Sequence, residues 1–193
     1  MEPLLLILDL DETLIHATRQ PLAHACDFTV FGYHVYRRPH LEAFLRSCAQ
    51  QFRLAVWSSA SDGYVAAVVK NIFPEDIAPA FVWGRSRCTP MSSVKTDEYG
   101  YYNMDGCSHY NYTKQLKKVR KQGYDLEKVL IVDDTPEKVR NSYGNAIYPT
   151  GFTGDPADKE LVWLADYLQR FAACNNVRCI EKRRWQDHYM ENR

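Results

Sequence analysis

The sequence predicts an α/β protein built on a doubly wound, mostly parallel sheet. Residues 4–8 are an unbroken apolar run that ends in acids, and residues 128–132 repeat the pattern after one lysine. Runs of this kind are how strands buried on both faces of a sheet read. Between such runs lie stretches with a helical period: Leu41, Phe44, Leu45 and Cys48, then Leu161, Leu164, Ala165, Leu168, Phe171 and Ala172. Strands alternating with helices imply a parallel sheet covered on both faces.

Taken in order, residues 4–8 form the first strand. Residues 28–37 alternate around Gly32, with Phe28 and Val30 before it and Tyr33 and Val35 after it, and predict a β-hairpin excursion. Pro39 is expected to open a helix, since proline suits the first turn, where its missing N–H costs nothing. Residues 53–57 predict a second core strand. Ser58 and Ser61 bound a polar turn that caps a helix near residues 62–71. A third strand is expected at 80–83. Residues 84–111 break the rhythm: Tyr99, Tyr101, Tyr102 and Tyr110 stand among Gly, Ser, Asn and Asp without a period. So many aromatics seek burial, which predicts an inserted loop or small cap. Residues 112–122 predict a basic helix ended by Gly123. Residues 128–132 form another buried strand, Thr135-Pro136-Glu137 starts a short helix, 145–148 is a last strand, and residues 181–193 read as a charged, solvated tail. The whole of 1–193 is expected to be one domain with an insert at about 84–111.

Composition narrows the function. The chain has 193 residues, with 24 Lys+Arg against 24 Asp+Glu. A zero net charge argues against broad binding to nucleic acid or to an anionic membrane, both of which need a cationic surplus. No apolar run reaches the 18 or so residues that span a bilayer, and the first residues lack the basic flank of a signal peptide. The cysteines Cys26, Cys48, Cys88, Cys107, Cys174 and Cys179 form no C-x-x-C pair, which speaks against a zinc ribbon or a thioredoxin-like site. The expected setting is a reducing cytoplasm, or the nucleus in a eukaryotic cell.

In sheets of this class the chemistry sits beyond the carboxyl ends of the strands. After the first strand come Asp9, Asp11 and Thr13, after the second Ser58 and Ser59, and after the strand at 128–132 come Asp133 and Asp134. Lys114 stands at the start of the basic segment. Carboxylates crowded together repel one another, so the set makes sense around a cation. Oxygen ligands with room for water and phosphate describe Mg²⁺. A metal, a lysine and a hydroxyl together neutralise a phosphoryl group. One carboxylate can attack phosphorus to form an aspartyl-phosphate, and a second, two residues on, can serve as acid and then base.

With these residues in place the sequence resembles the haloacid dehalogenase superfamily of phosphotransferases. Within it, the chain is similar to the small C-terminal-domain phosphatases of the nuclear-LIM-interactor-interacting-factor type. Asp9-Leu10-Asp11-Glu12-Thr13-Leu14 matches their first motif, and residues 38–45, beginning Arg38-Pro39-His40, match the helix after their hairpin. Ser58 and Ser59 stand at the second motif, where Thr often replaces Ser. Tyr112-Thr113-Lys114-Gln115-Leu116 matches the third, and Val132-Asp133-Asp134-Thr135-Pro136 the fourth, which often reads Asp-Asn. The likeness spans roughly residues 4–180.

The resemblance implies a Rossmann-like core and a Mg²⁺-dependent phosphomonoester hydrolase acting through an aspartyl-phosphate. It implies Asp9 as nucleophile and Asp11 as general acid and base. Ser58, Ser59 and Lys114 hold the phosphoryl oxygens, with Thr13 and Asp133 in support. Asp9, the backbone carbonyl of Asp11, and Asp134 or Asp133 hold the metal. Arg85 and Arg87 are candidates for substrate contact, because arginine suits bidentate phosphate binding. The expected substrate is phosphoserine or phosphothreonine in a protein or peptide. Its rivals are a small phosphomonoester and, in a different class, an idle module that docks phosphoproteins.

Overall fold

The computed structural model describes residues 3–91, 95–96, 102–103 and 111–190. The core is a five-stranded parallel sheet. Its central strand is β1 (Leu4–Leu8), flanked by β5 (Phe52–Trp57) and β11 (Val129–Val132), with β6 (Val82–Trp83) and β12 (Ala146–Ile147) at the edges. Every residue of β1 is buried, which is why its sequence shows no polar alternation. Successive side chains point to opposite faces. Leu4, Leu6 and Leu8 join Leu54, Val56 and Val132 in one layer, against the helices α1 (Leu41–Ala49), α2 (Asp62–Ile72) and α4 (Glu160–Leu168). Leu5 and Ile7 join Ala55, Trp57, Val129 and Ile131 on the other face. There they meet Val119 of the short α3 (Lys117–Arg120) and Val139 of the 3₁₀ segment Pro136–Asn145. Each leucine fully buried in this way contributes about 1.5–3 kcal/mol.

Register positions the chemistry. Leu8 pairs with both Val132 and Val56. The residues next in line, Asp9 and Asp133, therefore stand side by side at the same end of the sheet. Ser58 follows Trp57 one position further along β5. The N–H of Asp9 still donates to Val132 O at 3.0 Å, so the nucleophile candidate is held by the last rung of the ladder.

Beside this end lies a second, antiparallel sheet of β2 (Ile15–Thr18), β3 (Phe28–Val30) and β4 (Tyr33–Arg37), in the order β2-β4-β3. The predicted hairpin is its β3–β4 half. Its two-residue turn takes positive φ at Phe31 (49°) and Gly32 (79°), the twist that suits a tight hairpin. Gly32 adopts this freely, whereas Phe31 does so against its side-chain sterics and leaves its ring 72 % exposed. β2 was not expected: Ile15, His16, Ala17 and Thr18 are too short and too mixed to show a period. Strands β7 (Thr89–Met91) and β10 (Asn111–Thr113) pair antiparallel, as do β8 (Lys95–Thr96) and β9 (Tyr102–Asn103). Tyr99, Tyr101, Tyr110 and Cys107 of the expected cap lie outside the described residues, as do the last three residues of the charged tail.

Three expectations need correction. Pro39 does not open a helix. It lies in a turn, and α1 begins at Leu41 behind His40, which sits at φ 66°. The segment 112–122 is not one helix: Tyr112 belongs to β10, Lys114 follows in coil, and the helical turn starts at Lys117. Lys114 therefore does not share a solvated face with Lys118 and Lys121. The tail is not wholly solvated either. Lys182 is buried, its ammonium donating to Val177 O (2.5 Å) and Ile180 O (2.6 Å). Trp185 is buried with it and donates through Nε1 to Tyr148 O at 2.9 Å, covering the sheet beyond β12. Among the described residues, no helix is long and apolar enough to cross a membrane.

Candidate active site

The first strand runs straight into a tight turn. The N–H groups of Thr13, Leu14 and Ile15 all converge on Leu10 O, at 3.2, 2.8 and 3.1 Å. The turn is clamped from behind by Arg38, which is 1 % exposed. Its guanidinium holds Asp158 through two parallel bonds of 2.9 Å and donates to Thr13 O (3.0 Å) and Thr150 O (2.8 Å). Phe152 stacks near its plane, 5.3 Å away. A planar, permanently charged fork is suited to such multiple bonding. Asp9 and Asp11 are thus carried on a loop whose backbone has little freedom.

Asp9 is 1 % exposed. Its Oδ1 lies 2.9 Å from Lys114 Nζ and its Oδ2 lies 3.6 Å from Lys138 Nζ. Both are close charge contacts, yet neither oxygen accepts an aligned hydrogen bond. A buried carboxylate held by charge contacts rather than aligned hydrogen bonds is costly, which favours an electrophile or cation that replaces the looser contact.

Lys114 is fully buried beneath it and also donates to Asp133 Oδ2 at 2.6 Å. Burial alone would push the lysine pKa down, but the facing carboxylates of Asp9 and Asp133 overcome this and raise it. The ammonium charge is therefore secure. Its backbone N–H is tied to Lys138 O at 2.7 Å. Asp133 spends its other oxygen on the N–H of Thr135, at 3.0 Å. Burial raises the Asp133 pKa, opposed by Lys114. Asp134, half-buried, is steered by Thr13: its N–H donates to Thr13 Oγ1 at 3.2 Å, and that hydroxyl lies 3.5 Å from Asp134 Oδ1. One ligand oxygen each from Asp9, Asp133 and Asp134 falls within 4.8 Å of the others. Three convergent carboxylates suit a hard divalent cation.

Asp11 stands outside that group. Its carboxylate accepts from Tyr64 OH at 2.7 Å. Burial raises its pKa to about 6, partly offset by that hydrogen bond. Such a group can give and take a proton near neutrality. Ser58 is buried and its Oγ accepts from Ala60 N–H at 3.1 Å, while the backbone carbonyl of the half-buried Ser59 accepts from Arg85 Nε at 2.9 Å.

The structure brings Asp9, Lys114, Asp133, Asp134 and Thr13 into one contact network. It sets the Asp11–Tyr64 pair and the Ser58–Ser59 turn at the network's border. Arg85 and Arg87 are engaged elsewhere: their guanidinium groups lie over the rings of Tyr112 (5.3 Å) and Trp83 (4.5 Å). Arg85 nonetheless helps line a cavity of about 410 Å³ with Asp11, Phe31, Tyr33, Ser61 and Tyr64.

Three residues at the site escaped the sequence reading. Lys138 lies in a polar 3₁₀ segment that reads as solvated. Tyr64 belongs to an apolar helix face, and its hydroxyl gives no periodic signal. Arg38 stood within a recognised motif, but its bonds join segments more than a hundred residues apart in sequence.

Comparison with known proteins agrees with this architecture. The family model described as "NLI interacting factor-like phosphatase" matches residues 4–178. A "CTD nuclear envelope phosphatase 1 homolog" of Drosophila melanogaster is 29 % identical over 198 residues, covering 95 % of this chain and 73 % of the fly protein. A "CTD small phosphatase-like protein 2" of Dictyostelium discoideum is 29 % identical over 182 residues, covering 90 % of this chain but 28 % of that protein. The fold is also that of Fcp1, an RNA polymerase II CTD phosphatase. That match has a TM-score of 0.65 at 16 % identity, over 92 % of this chain and 69 % of Fcp1. The match along nearly the whole α/β core establishes that the chain belongs to the NLI interacting factor-like family of phosphatases.

Proposed function

We propose that this phosphatase hydrolyses phosphoserine or phosphothreonine in a protein or peptide, with Mg²⁺, through a phosphoryl group carried on Asp9. The observation that carries the reading is the Asp9 carboxylate, buried and flanked by the ammonium groups of Lys114 and Lys138. In the first step an Asp9 oxygen attacks phosphorus while the bond to the leaving oxygen breaks, and Asp11 gives its proton to that oxygen. In the second, Asp11 takes a proton from water, the water oxygen bonds to phosphorus, and the bond to Asp9 breaks. Lys114 meets the charge on the phosphoryl oxygens without moving, because Asp133 holds it. Ser58 and Ser59 offer donors at the next strand end. Asp9, the backbone carbonyl of Asp11, and Asp134 would hold the cation. Asp134 is favoured over Asp133, whose oxygens are committed to Lys114 and Thr135. When bound, the cation supplies further charge neutralisation for the phosphoryl group.

The peptide substrate is supported by the cavity beside Asp11, where Phe31, Tyr33 and Tyr64 offer apolar surface to a chain flanking the phosphate. It is also supported by relatives named as CTD phosphatases. Residues 1–193 form one phosphatase domain in this reading. Its place is at the border of cytoplasm and nucleus, as the nuclear envelope in the fly relative's name suggests.

The test is hydrolysis of p-nitrophenyl phosphate and of a panel of phosphopeptides, sugar phosphates and nucleotides. Turnover is expected with Mg²⁺, stopped by EDTA, strongest on phosphopeptides, and lost in Asp9→Asn. Turnover of Asp9→Asn equal to the unaltered protein would remove the nucleophile and the reading with it.

A further inference from the structure

The two lysines at Asp9 take one carboxylate oxygen each, but with unequal freedom. Lys114 has no exposed surface and is pinned between two carboxylates at 2.9 and 2.6 Å. Moving it would strand buried charge. Lys138, the third residue of the 3₁₀ segment Pro136–Asn145, makes one longer contact of 3.6 Å to Asp9 Oδ2, and its side chain keeps 25 % of its surface exposed. It has an open way to water. The charges that face it are Asp9, Asp133, Asp134 and Asp11, which attract it, and Lys114, which repels it. Of these, Asp9, Asp133 and Asp134 have oxygens that converge within 4.8 Å. The ammonium of Lys138 therefore rests against the same carboxylates that would receive a divalent cation. A doubly charged ion among them stands within a few ångströms of that ammonium, where like charges repel strongly at low effective dielectric.

We propose that Lys138 is a displaceable counter-ion that competes with the divalent cation for Asp9 Oδ2 and so sets the metal affinity of the site. The inference rests on the metal-dependent reading above. Without the cation, Lys138 compensates the acids. With it, Lys138 turns out toward water, while Lys114 stays in place.

Calorimetric titration of the full chain with Mg²⁺, without substrate, tests this. Lys138→Met is expected to bind Mg²⁺ about tenfold tighter than the unaltered protein, equivalent to ~1.4 kcal/mol. Lys138→Arg, which keeps the charge, is expected to stay within about twofold of it, and Lys70→Met, on the exposed side of α2, to match it. Equal or weaker binding by Lys138→Met overturns the proposal and leaves the metal reading intact. Absence of Mg²⁺ binding by the unaltered protein overturns both. A second measurement needs no variant: acetylation of Lys138 by an amine-reactive reagent, followed by mass spectrometry, is expected to quicken when Mg²⁺ is added. An unchanged rate speaks against displacement even if Lys138→Met fails to fold.

Discussion

At the carboxyl end of β1 and β11, Asp9, Lys114 and Asp133 are almost sealed from water and hold one another through charge. Next to them, Asp11 and Tyr64 share a single hydrogen bond beside an open cavity, where Phe31 and Arg85 are exposed. The floor places fixed charges where solvent cannot rearrange, which electrostatic stabilisation of a phosphoryl group requires. The rim keeps exposed side chains, Phe31 and Arg85 among them, around the cavity. In the proposed function, chemistry would fall to the sealed region and selection to the exposed one.

Breaking the floor should cost most. Lys114→Met leaves Asp9 and Asp133 facing each other across an apolar side chain. A loss of about 3–5 kcal/mol is expected in urea unfolding, together with loss of turnover. A loss under about 1 kcal/mol would show that the two acids tolerate each other by sharing a proton. At the border of the two regions, Asp11→Asn should lower kcat by about 10²–10⁴-fold while Mg²⁺ affinity stays within about threefold. A near-normal kcat would take the proton transfer away from Asp11. On the rim, Tyr64→Phe removes one hydrogen bond to a carboxylate but keeps the ring. The expected cost is about 1–3 kcal/mol in urea unfolding, with a fall in kcat much smaller than that of Asp11→Asn. A fall as large as that of Asp11→Asn would mean that the rim is as rigid as the floor. The smallest effect belongs to Phe31→Ala. Its exposed ring predicts a stability change within about 0.5 kcal/mol, and a lower ratio of phosphopeptide to p-nitrophenyl phosphate kcat/KM. An unchanged ratio would detach the hairpin tip from substrate selection.

The same division governs what could be read from the sequence. β1 and β11 are buried on both faces, so their unbroken apolar runs and the acids that end them were plain, and the parallel sheet followed. β2 was hidden because Ile15, His16, Ala17 and Thr18 are mostly half-buried, which leaves no alternation to detect. Lys114 shows the harder limit. Only the motif pointed to it: a lysine buried by two carboxylates carries no apolar signature, and those partners come from other strands. Lys138 was invisible for the same reason. Arg38 was visible as part of a motif, but its partners Thr13, Thr150 and Asp158 were not, because only the folded chain brings them together.

The Arg38 clamp also fixes an order of assembly. Asp9 and Asp11 are synthesised long before the groups that hold their loop in place, Thr150 O and the carboxylate of Asp158. A growing chain that stops before β11 has Asp9 and Asp11 but lacks Asp133 and both distant anchors of Arg38. Domains tend to fold as units once their long-range partners exist. The emerging polypeptide should therefore carry Asp9 and Asp11 on an unanchored loop until Asp158 has been made.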